Sequence, residues 1–410
     1  MKISNTVAFA ATAMCTLNAL SLAQQPGARI PELHPPLPSQ YCTVAKNVLQ
    51  NVDHTDAKVA ACVTEQSSVV IDSNWRETYA VGTTNSCVSD GKWNMTTCSS
   101  STECAKICGL EGVDYTGNFS ITTLGQELEL KLQTPSSIGS RVYMLDTSGK
   151  KYKQFRLLNQ EFTFDVDVSN LPCGSNGALY FVKMDPDGDV HFVNGEANLN
   201  GSYGSCCTEM DIWEANKCGN TDETRYTGWC DKNGCDFNPF RMGLQDFYGR
   251  GKQFSIDTTR PFSVITQFVT ADNTDTGELV EIRRLYKQDG RVVLNPSSTW
   301  TALNGIDSIT EAMCNMSKTY FDDPAYVGNL AQLGRDLVGG MTLAMSVWVD
   351  YGLNMSWLDS HFPGDDPTVP GGLRGNCPFP GGDPETVFAE NPNAGVKFLN
   401  IRSGDLGTTY

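Results

Sequence analysis

Three acidic residues stand close together in the segment CCTEMDIWE, residues 206–214. Glu209 and Asp211 are two residues apart, so on a β-strand they share one face while the apolar residues beside them point to the other. Glu214 lies an odd five positions from Glu209, and a β-bulge after Asp211 would return it to the same face. We predict such a bulge. A solvated acidic strand edge is the alternative, but the flanking Cys, Met, Ile and Trp disfavour it.

Clustered acids repel one another, so at least one stays protonated at a pH where another is ionised. A glycosidase needs this pair of states, one carboxylate as nucleophile and one carboxylic acid as proton donor. If the two carboxyl groups are about 5–5.5 Å apart, no water fits between them and hydrolysis retains the anomeric configuration. Flat aromatic platforms for sugar rings would complete the site, and Trp75, Trp348 and Trp357 are candidates, although core packing is the more common role of a lone Trp.

Metal and cofactor chemistry has little support. The four histidines, at positions 34, 54, 191 and 361, show no metal-ligand spacing, so we predict no metal and no cofactor. Residues 185–196 superficially copy a calcium-binding loop, but Val190 occupies the position that requires Gly. A hairpin turn between two strands is the better interpretation.

The elements that must position the acids are mostly strands. Alternating or β-rich runs predict strands at Glu127–Leu132, Arg141–Leu145, Glu161–Val168, Ala178–Met184, Phe262–Val269, Met341–Val349 and Val396–Ile401. Convincing helical periodicity appears only around Tyr326–Leu337, with Gly339-Gly340 as a stop. The pattern predicts an all-β antiparallel sandwich with long loops, and residues 24–40 form an extended arm on the body.

The N-terminus predicts export. Residues 1–23 read as a signal peptide, and residues 24–410 as a single catalytic domain without a linker or carbohydrate-binding module. Of 15 cysteines, one lies in the signal peptide and the even remainder suits disulfides of a secreted protein. Five N-glycosylation sequons, at Asn94, Asn118, Asn200, Asn315 and Asn354, fit the same route. The net charge of −17 argues against nucleic-acid and membrane partners, and we expect a monomer.

The motif resembles glycoside hydrolase family 7, the cellobiohydrolases and endoglucanases, over nearly the whole mature chain. Further matching segments are residues 69–76, 164–168, 173–181 and 235–241. The resemblance implies a concanavalin-like β-jelly-roll sandwich whose disulfide-tied loops form a substrate groove or partial tunnel. It implies that Glu209 is the nucleophile, Asp211 the helper carboxylate and Glu214 the acid/base. It further implies substrate contacts from Trp75, Arg141, Asn176, Tyr180 and Trp348, and product-side contacts from Arg225, Arg241, Trp357 and Arg374.

The same resemblance implies the disulfides Cys42–Cys62, Cys87–Cys108, Cys98–Cys104, Cys173–Cys377, Cys218–Cys230 and Cys235–Cys314. Cys206 and Cys207 are left over, because their family partners lie in a segment that this chain lacks between Gly188 and Phe192. Three alternatives are open for these two cysteines: a disulfide between them, two free thiols, or partners lost from the sequence through a gene-model error.

These features predict a secreted, retaining β-1,4-glucan hydrolase whose partner is cellulose or a related glucan chain. Arg225-Tyr226 and the loop 361–374 favour the cellobiohydrolase type. The shortened loop 198–204, Glu77 and Gly352 favour the open cleft of an endoglucanase. Two rivals remain: a glucan-binding protein without turnover, and the laminarin- and lichenan-cleaving hydrolases that share the Glu-x-Asp-x-x-Glu strand.

Overall fold

Two β-sheets stack around one core, as the sequence predicts. The structure, a computed structural model, describes residues 25–26, 29–44, 60–89, 92–186, 208–212, 234–323, 328–364, 366 and 368–410. The predicted signal peptide and most of residues 185–196 lie outside this set. Within it, no helix is long and apolar enough to cross a membrane.

The front sheet has six strands and carries the acidic motif. Its order is Glu209–Asp211, Ser175–Val182, Met341–Val349, Ser140–Leu145 and Ser68–Ile71, and the short strand Gln154–Phe155 also pairs with Met341–Val349. All of these pairings are antiparallel. The acidic strand therefore lies at the end of the strand order.

The back sheet has ten strands. Its main path is Arg291–Leu294, Leu279–Gln288, Phe262–Thr270, Gln160–Asp167, Gly395–Asp405, Glu127–Lys131 and Thr122–Leu124. Beside this path, Ser39–Val44 pairs with Gly395–Asp405 and with Ala60–Glu65, and Ile309–Thr310 pairs with Leu279–Gln288. All seven predicted strands are confirmed, with ends shifted by up to four residues.

Shorter elements fill the connections. Small sheets are formed by Gln25–Pro26 with Cys108–Leu110 and Thr78–Ala80, by Val88–Ser89 with Lys92–Trp93, by Gln133–Thr134 with Ser137–Ile138, and by Tyr248–Gly249 with Ile256–Asp257. The α-helices are Ser101–Ile107, Tyr115–Phe119, Glu311–Tyr320, Leu330–Val338, Ser356–Asp359 and Pro384–Glu390, with 3-10 turns at Ser73–Trp75 and Thr301–Leu303.

Strict alternation along the front sheet separates a core face from an outer face. In Met341–Val349 every second residue from Met341 onward is buried in the main core, and Trp348 belongs to the opposite face. The core is closed by side chains from both sheets. Phe162 of the back sheet meets Phe181 of the front sheet edge to face, with 4.9 Å between ring centroids. This packing holds the front sheet in a fixed position against the back sheet.

The predicted helix is confirmed with a later start. It begins at Leu330, because the Asn329 side chain accepts a hydrogen bond from the Gln332 backbone N–H and caps the helix there. Residues 324–327 lie outside the described part of the chain. The expectation that this was the one convincing helix is wrong, because Glu311–Tyr320 is a second helix, capped by Thr310. Its sequence, EAMCNMSKTY, mixes few apolar residues among polar ones, so it gives only a weak helical repeat.

The N-terminal arm lies along the body, as predicted. Leu37 N–H donates to the Ser67 carbonyl at 2.9 Å, and Val69 N–H donates to the Pro35 carbonyl at 3.0 Å. Arg29 bonds Glu111 at 2.7 Å and stacks on the Tyr79 ring. The arm is therefore held by backbone bonds and by a buried carboxylate.

Five of the six predicted disulfides are present: Cys42–Cys62, Cys87–Cys108, Cys98–Cys104, Cys173–Cys377 and Cys235–Cys314. Cys206, Cys207 and the predicted pair Cys218–Cys230 lie outside the described residues. The Cys173–Cys377 bridge joins residues 204 positions apart. It fixes the start of the Ser175–Val182 strand to the loop that follows the helix Ser356–Asp359.

Candidate active site

The acidic strand takes the orientation that its spacing predicts. Asp211 pairs with Tyr180 and Glu209 with Val182 on the neighbouring strand. Met210 and Ile212 are buried in the main core. Because side chains alternate along a strand, Glu209 and Asp211 share the outer face of the front sheet. Asp211 is buried and Glu209 is partly exposed.

Both ends of this strand are held by neighbouring elements. The Thr208 hydroxyl donates to Asp336 of the helix Leu330–Val338 at 2.6 Å, and the Asp336 carboxylate also pairs with Lys183 at 2.7 Å. At the other end the Arg284 guanidinium of the back sheet donates to the Ile212 carbonyl. The strand is therefore anchored by the helix and by the opposite sheet.

Several predicted features lie beyond this point, outside the described residues. They are the acid/base candidate Glu214, the β-bulge before it and Arg225. Their roles stay predictions.

An ionic network covers the outer face beside the acids. Asp72 accepts hydrogen bonds from Arg141 at 3.0 Å and 2.8 Å and from the Tyr143 hydroxyl at 2.6 Å. Arg141 also points toward the Tyr180 hydroxyl, 3.5 Å away. Two predicted contact residues, Arg141 and Tyr180, therefore meet beside Asp211.

The pKa of the Tyr180 phenol depends on its burial and on the charges around it. Burial raises the pKa of its phenol to about 12, the Arg141 charge opposes this rise, and the charges of Glu209 and Asp211 add to it. The phenol therefore stays protonated at any physiological pH. It can donate a hydrogen bond toward a carboxylate or a sugar oxygen.

The predicted aromatic platforms occupy different settings. Trp75 ends the 3-10 turn Ser73–Trp75 and is half-buried against the main core. Trp348 lies opposite Asn176 on the front sheet and faces Trp357, with 6.2 Å between ring centroids and 33° between ring planes. The Trp357 indole N–H donates to Asp350 at 3.0 Å. The two neighbouring indoles provide an aromatic surface of the kind that sugar rings stack on.

A cavity of about 1380 Å³ adjoins the acidic strand. Its wall includes five of the predicted site residues: Asn176, Asp211, Arg241, Trp357 and Arg374. The wall also includes Met210 and Ile212 of the main core, whereas Glu209, Tyr180 and Trp348 are not among its lining residues. The structure thus gathers the predicted product-side residues that it describes, Arg241, Trp357 and Arg374, on one cavity.

Two of the arginines that line this cavity, Arg241 and Arg374, share an acidic partner. Arg241 is buried, bonds Asp236 at 2.8 Å and also pairs with Asp323. Arg374 lies 4.0 Å from the same Asp236. Burial would raise the pKa of Asp236, but the charges of Arg241 and Arg374 keep it lowered. Asp236 therefore stays ionised and holds both guanidinium groups at the cavity wall.

Sequence reasoning missed two carboxylates that the fold brings into the site, Asp72 and Asp359. Asp359 lines the cavity and accepts a hydrogen bond from the Gly174 N–H at 2.8 Å. Gly174 itself has positive φ, and a Cβ there would lie 2.4 Å from the Gly382 Cα. No local motif marks Asp359, because its surroundings come from segments far apart in the sequence.

Asp359 predicts an unusual pH dependence of stability. Burial raises its pKa from 3.8 to about 6, so between pH 4 and 6 the folded state binds more protons than the unfolded state. Stability that is present at low pH is lost as pH rises through this window, by about 3 kcal/mol. We expect Asp359→Asn to match wild type at pH 4 and to exceed its free energy of unfolding at pH 7, measured by urea denaturation.

The matched control for this experiment is Asp383→Asn. The Asp383 pKa is lowered by the N–H of Thr386, so the sign reverses and the variant should be less stable than wild type at pH 7. A stability difference between Asp359→Asn and wild type that stays constant from pH 4 to pH 7 would contradict the raised pKa.

Known proteins share both the sequence pattern and the fold. The family model described as glycosyl hydrolase family 7 matches residues 26–197 and 216–410. Residues 198–215, which carry the acidic motif, fall between the two matched stretches. The position of the motif is therefore supported by its own residues and by its pairing with Ser175–Val182.

Solved structures of cellulases align over nearly the whole chain. A family 7 cellobiohydrolase from Daphnia pulex is 36% identical with a TM-score of 0.82, covering 94% of this chain and 100% of that chain. A cellobiohydrolase from Melanocarpus albomyces, complexed with cellotetraose, is 33% identical with a TM-score of 0.78, covering 94% and 99%. An endocellulase from Humicola insolens is 31% identical with a TM-score of 0.76, covering 94% and 100%. The chain therefore belongs to glycosyl hydrolase family 7 and is a glycoside hydrolase with the β-sandwich fold of that family.

Proposed function

We propose that this protein is a secreted, retaining β-1,4-glucan hydrolase that degrades cellulose, of the cellobiohydrolase type. The observation that carries the proposal is the shared outer face of Glu209 and Asp211, next to Tyr180 and a cavity lined by Trp357 and Arg374. The similar proteins of solved structure include cellobiohydrolases and endocellulases, and one was solved with cellotetraose. A β-1,4-glucan chain is the substrate that fits both findings.

In the proposed reaction the Glu209 carboxylate attacks the anomeric carbon of the sugar. The bond from this carbon to the leaving oxygen breaks as Glu214 gives that oxygen its proton. Water then attacks the covalent glycosyl intermediate, Glu214 takes a proton from the water, and Glu209 leaves. Asp211 donates or accepts the hydrogen bond that tunes Glu209. Two displacements at one carbon return the original β configuration.

An extracellular location is part of the proposal. Five disulfides among the described residues suit an oxidising compartment. The signal peptide predicted at residues 1–23 is the export signal that such a location requires.

An endoglucanase is the second candidate, favoured by the far end of the groove. Glu77, which stands where the resemblance implies an entrance tryptophan, has an exposed side chain that pairs with Arg29 at 3.0 Å. Gly352, at the second position of the implied tyrosine pair, is exposed and offers no ring. Two stacking surfaces that would hold a long chain are thus replaced, which suits an open cleft.

The product profile tests these alternatives. Purified protein is incubated with microcrystalline cellulose, carboxymethyl cellulose and mixed-linkage glucan, and the products are separated by chromatography. Mainly cellobiose with little loss of viscosity supports the cellobiohydrolase type, whereas mixed oligomers with a rapid loss of viscosity support the endoglucanase. Binding without release of reducing sugar, or attack on mixed-linkage glucan alone, would overturn the proposal. Proton NMR of the first products from cellotetraose should show the β anomer.

A further inference from the structure

Asp72 joins three separate elements beside the outer face of the front sheet. It follows the front-sheet strand Ser68–Ile71, and its side chain is buried. One carboxylate oxygen accepts a hydrogen bond from the Asn74 N–H at 2.8 Å and caps the turn that ends in Trp75. The other oxygen accepts from both Arg141 and the Tyr143 hydroxyl on the adjacent strand. Each oxygen thus bonds a different element.

The contacts continue from Arg141 to the reacting residues. The third guanidinium nitrogen, Nη1, lies 3.5 Å from the Tyr180 hydroxyl. Tyr180 pairs in register with Asp211, and the charge of Glu209 acts on its phenol. An unbroken path therefore leads from the Trp75 turn through Asp72, Arg141 and Tyr180 to the acidic strand.

The geometry of this path is rigid. The Nε–H and Nη2–H groups of Arg141 both donate to one Asp72 oxygen, Oδ2, so the guanidinium is held at two of its nitrogens. The Tyr143 hydroxyl holds the same oxygen from a third direction, so neither Asp72 nor Arg141 can rotate without breaking several bonds. The turn that carries Trp75 is held by the same carboxylate.

We propose that Asp72 is a positioning residue that holds the Trp75 turn in register with Tyr180 and Glu209. The proposal rests on the proposed glucan-hydrolase function. A glucan chain that touches Trp75 is then delivered to the acidic strand at a fixed offset, so binding far from the scissile bond raises the rate of cleavage. Orientation of this kind is sensitive, because a misplacement of about 1 Å can cost on the order of 100-fold in rate.

Substrate length provides the test. Initial rates are measured with an aryl β-cellobioside and an aryl β-cellotetraoside that carry the same leaving group. Wild type should show a higher kcat/KM on the longer substrate, which reaches further toward Trp75. The length gain is the ratio of kcat/KM on the cellotetraoside to kcat/KM on the cellobioside. In Asp72→Asn this gain should shrink about tenfold, mainly through kcat. Trp75→Ala should lose the same gain, and the double variant should lose no more than the larger single loss.

Asp165→Asn is the matched control. Asp165 also binds an arginine of a neighbouring strand, Arg402 at 2.8 Å, and the amide of Asn400 at 2.7 Å, but it lies on the back sheet. The Asp165→Asn variant should lower the free energy of unfolding and leave the length gain unchanged. Asp72→Glu keeps the charge and should restore part of the gain. If Asp72→Asn fails to fold, Tyr143→Phe takes its place as the test variant. It removes one hydrogen bond to Asp72 and should lower the length gain about threefold.

A purely stabilising Asp72 gives a different result. Equal losses on both substrates, a preserved length gain, and additivity with Trp75→Ala would overturn the positioning role while leaving the proposed function intact. If wild type cleaves neither aryl substrate, the proposed function and the positioning role both fall.

Discussion

The Glu209→Gln variant is expected to bind cellulose as wild type does and to lose about 10⁴-fold or more in kcat. The side chain keeps its size, so the outer face of the front sheet should be undisturbed. An amide cannot form the covalent glycosyl intermediate, and removal of a nucleophile typically costs this much. Rates on an aryl cellobioside and binding to microcrystalline cellulose are the two measurements.

A trapping experiment identifies the attacking atom directly. A 2-deoxy-2-fluoro cellobioside with a good leaving group should stop wild type at the covalent stage, because fluorine destabilises the positively charged transition state of both steps. Mass spectrometry of peptides should place the sugar on Glu209. Glu129→Gln is the control, since Glu129 lies on the back sheet and pairs with Lys131 at 2.6 Å. Label on another residue, or a Glu209→Gln variant with a tenth of wild-type activity, would remove the nucleophile role.

The loss of rate in Glu214→Gln should depend on the leaving group of the substrate. Cellulose releases a poor leaving group that must be protonated, so we expect its hydrolysis to fall by about 10³-fold. A dinitrophenyl cellobioside needs no proton, so its kcat/KM should stay within about tenfold of wild type while its kcat falls, because the second step lacks its base.

Azide provides the decisive control in the smaller variant Glu214→Ala. This anion attacks the intermediate without a general base, so it should raise kcat on the activated substrate and yield the β-glycosyl azide. The alkaline limb of the pH profile should also flatten, since it reports the proton on the acid. Equal losses on cellulose and on the activated substrate, without azide rescue, would mean that Glu214 is not the acid.

Alternation along single strands was enough to predict the longer strands of the front sheet, but not Ser68–Ile71 or Gln154–Phe155. Met341–Val349 has the bounds that its sequence predicts, and Met210 and Ile212 face the core as their positions require. Local patterns work here because a strand between core and groove must alternate. The helix Glu311–Tyr320 was missed for the corresponding reason, since its few apolar residues lie among polar ones and reveal only a weak period.

Long-range partners could not be predicted from local pattern. Asp72 and Arg141 are 69 residues apart, and Asp359 bonds the backbone of Gly174 across 185 positions. Such pairs depend on strand register and on which loops meet, which no short window of sequence contains. The disulfides were anticipated through the family resemblance, and Asp72 and Asp359 became visible as site residues only in the folded chain.

The junction of Gly174, Asp359 and the Cys173–Cys377 disulfide also limits which substitutions the chain tolerates there. Two segments 204 positions apart are clamped there by a covalent bond, a hydrogen bond and a close approach of Gly174 to Gly382. A Cβ at Gly174 would lie 2.4 Å from the Gly382 Cα, and a Cβ at Gly382 would lie 2.2 Å from the Asn354 carbonyl oxygen, so a side chain at either position would force the clamped segments apart.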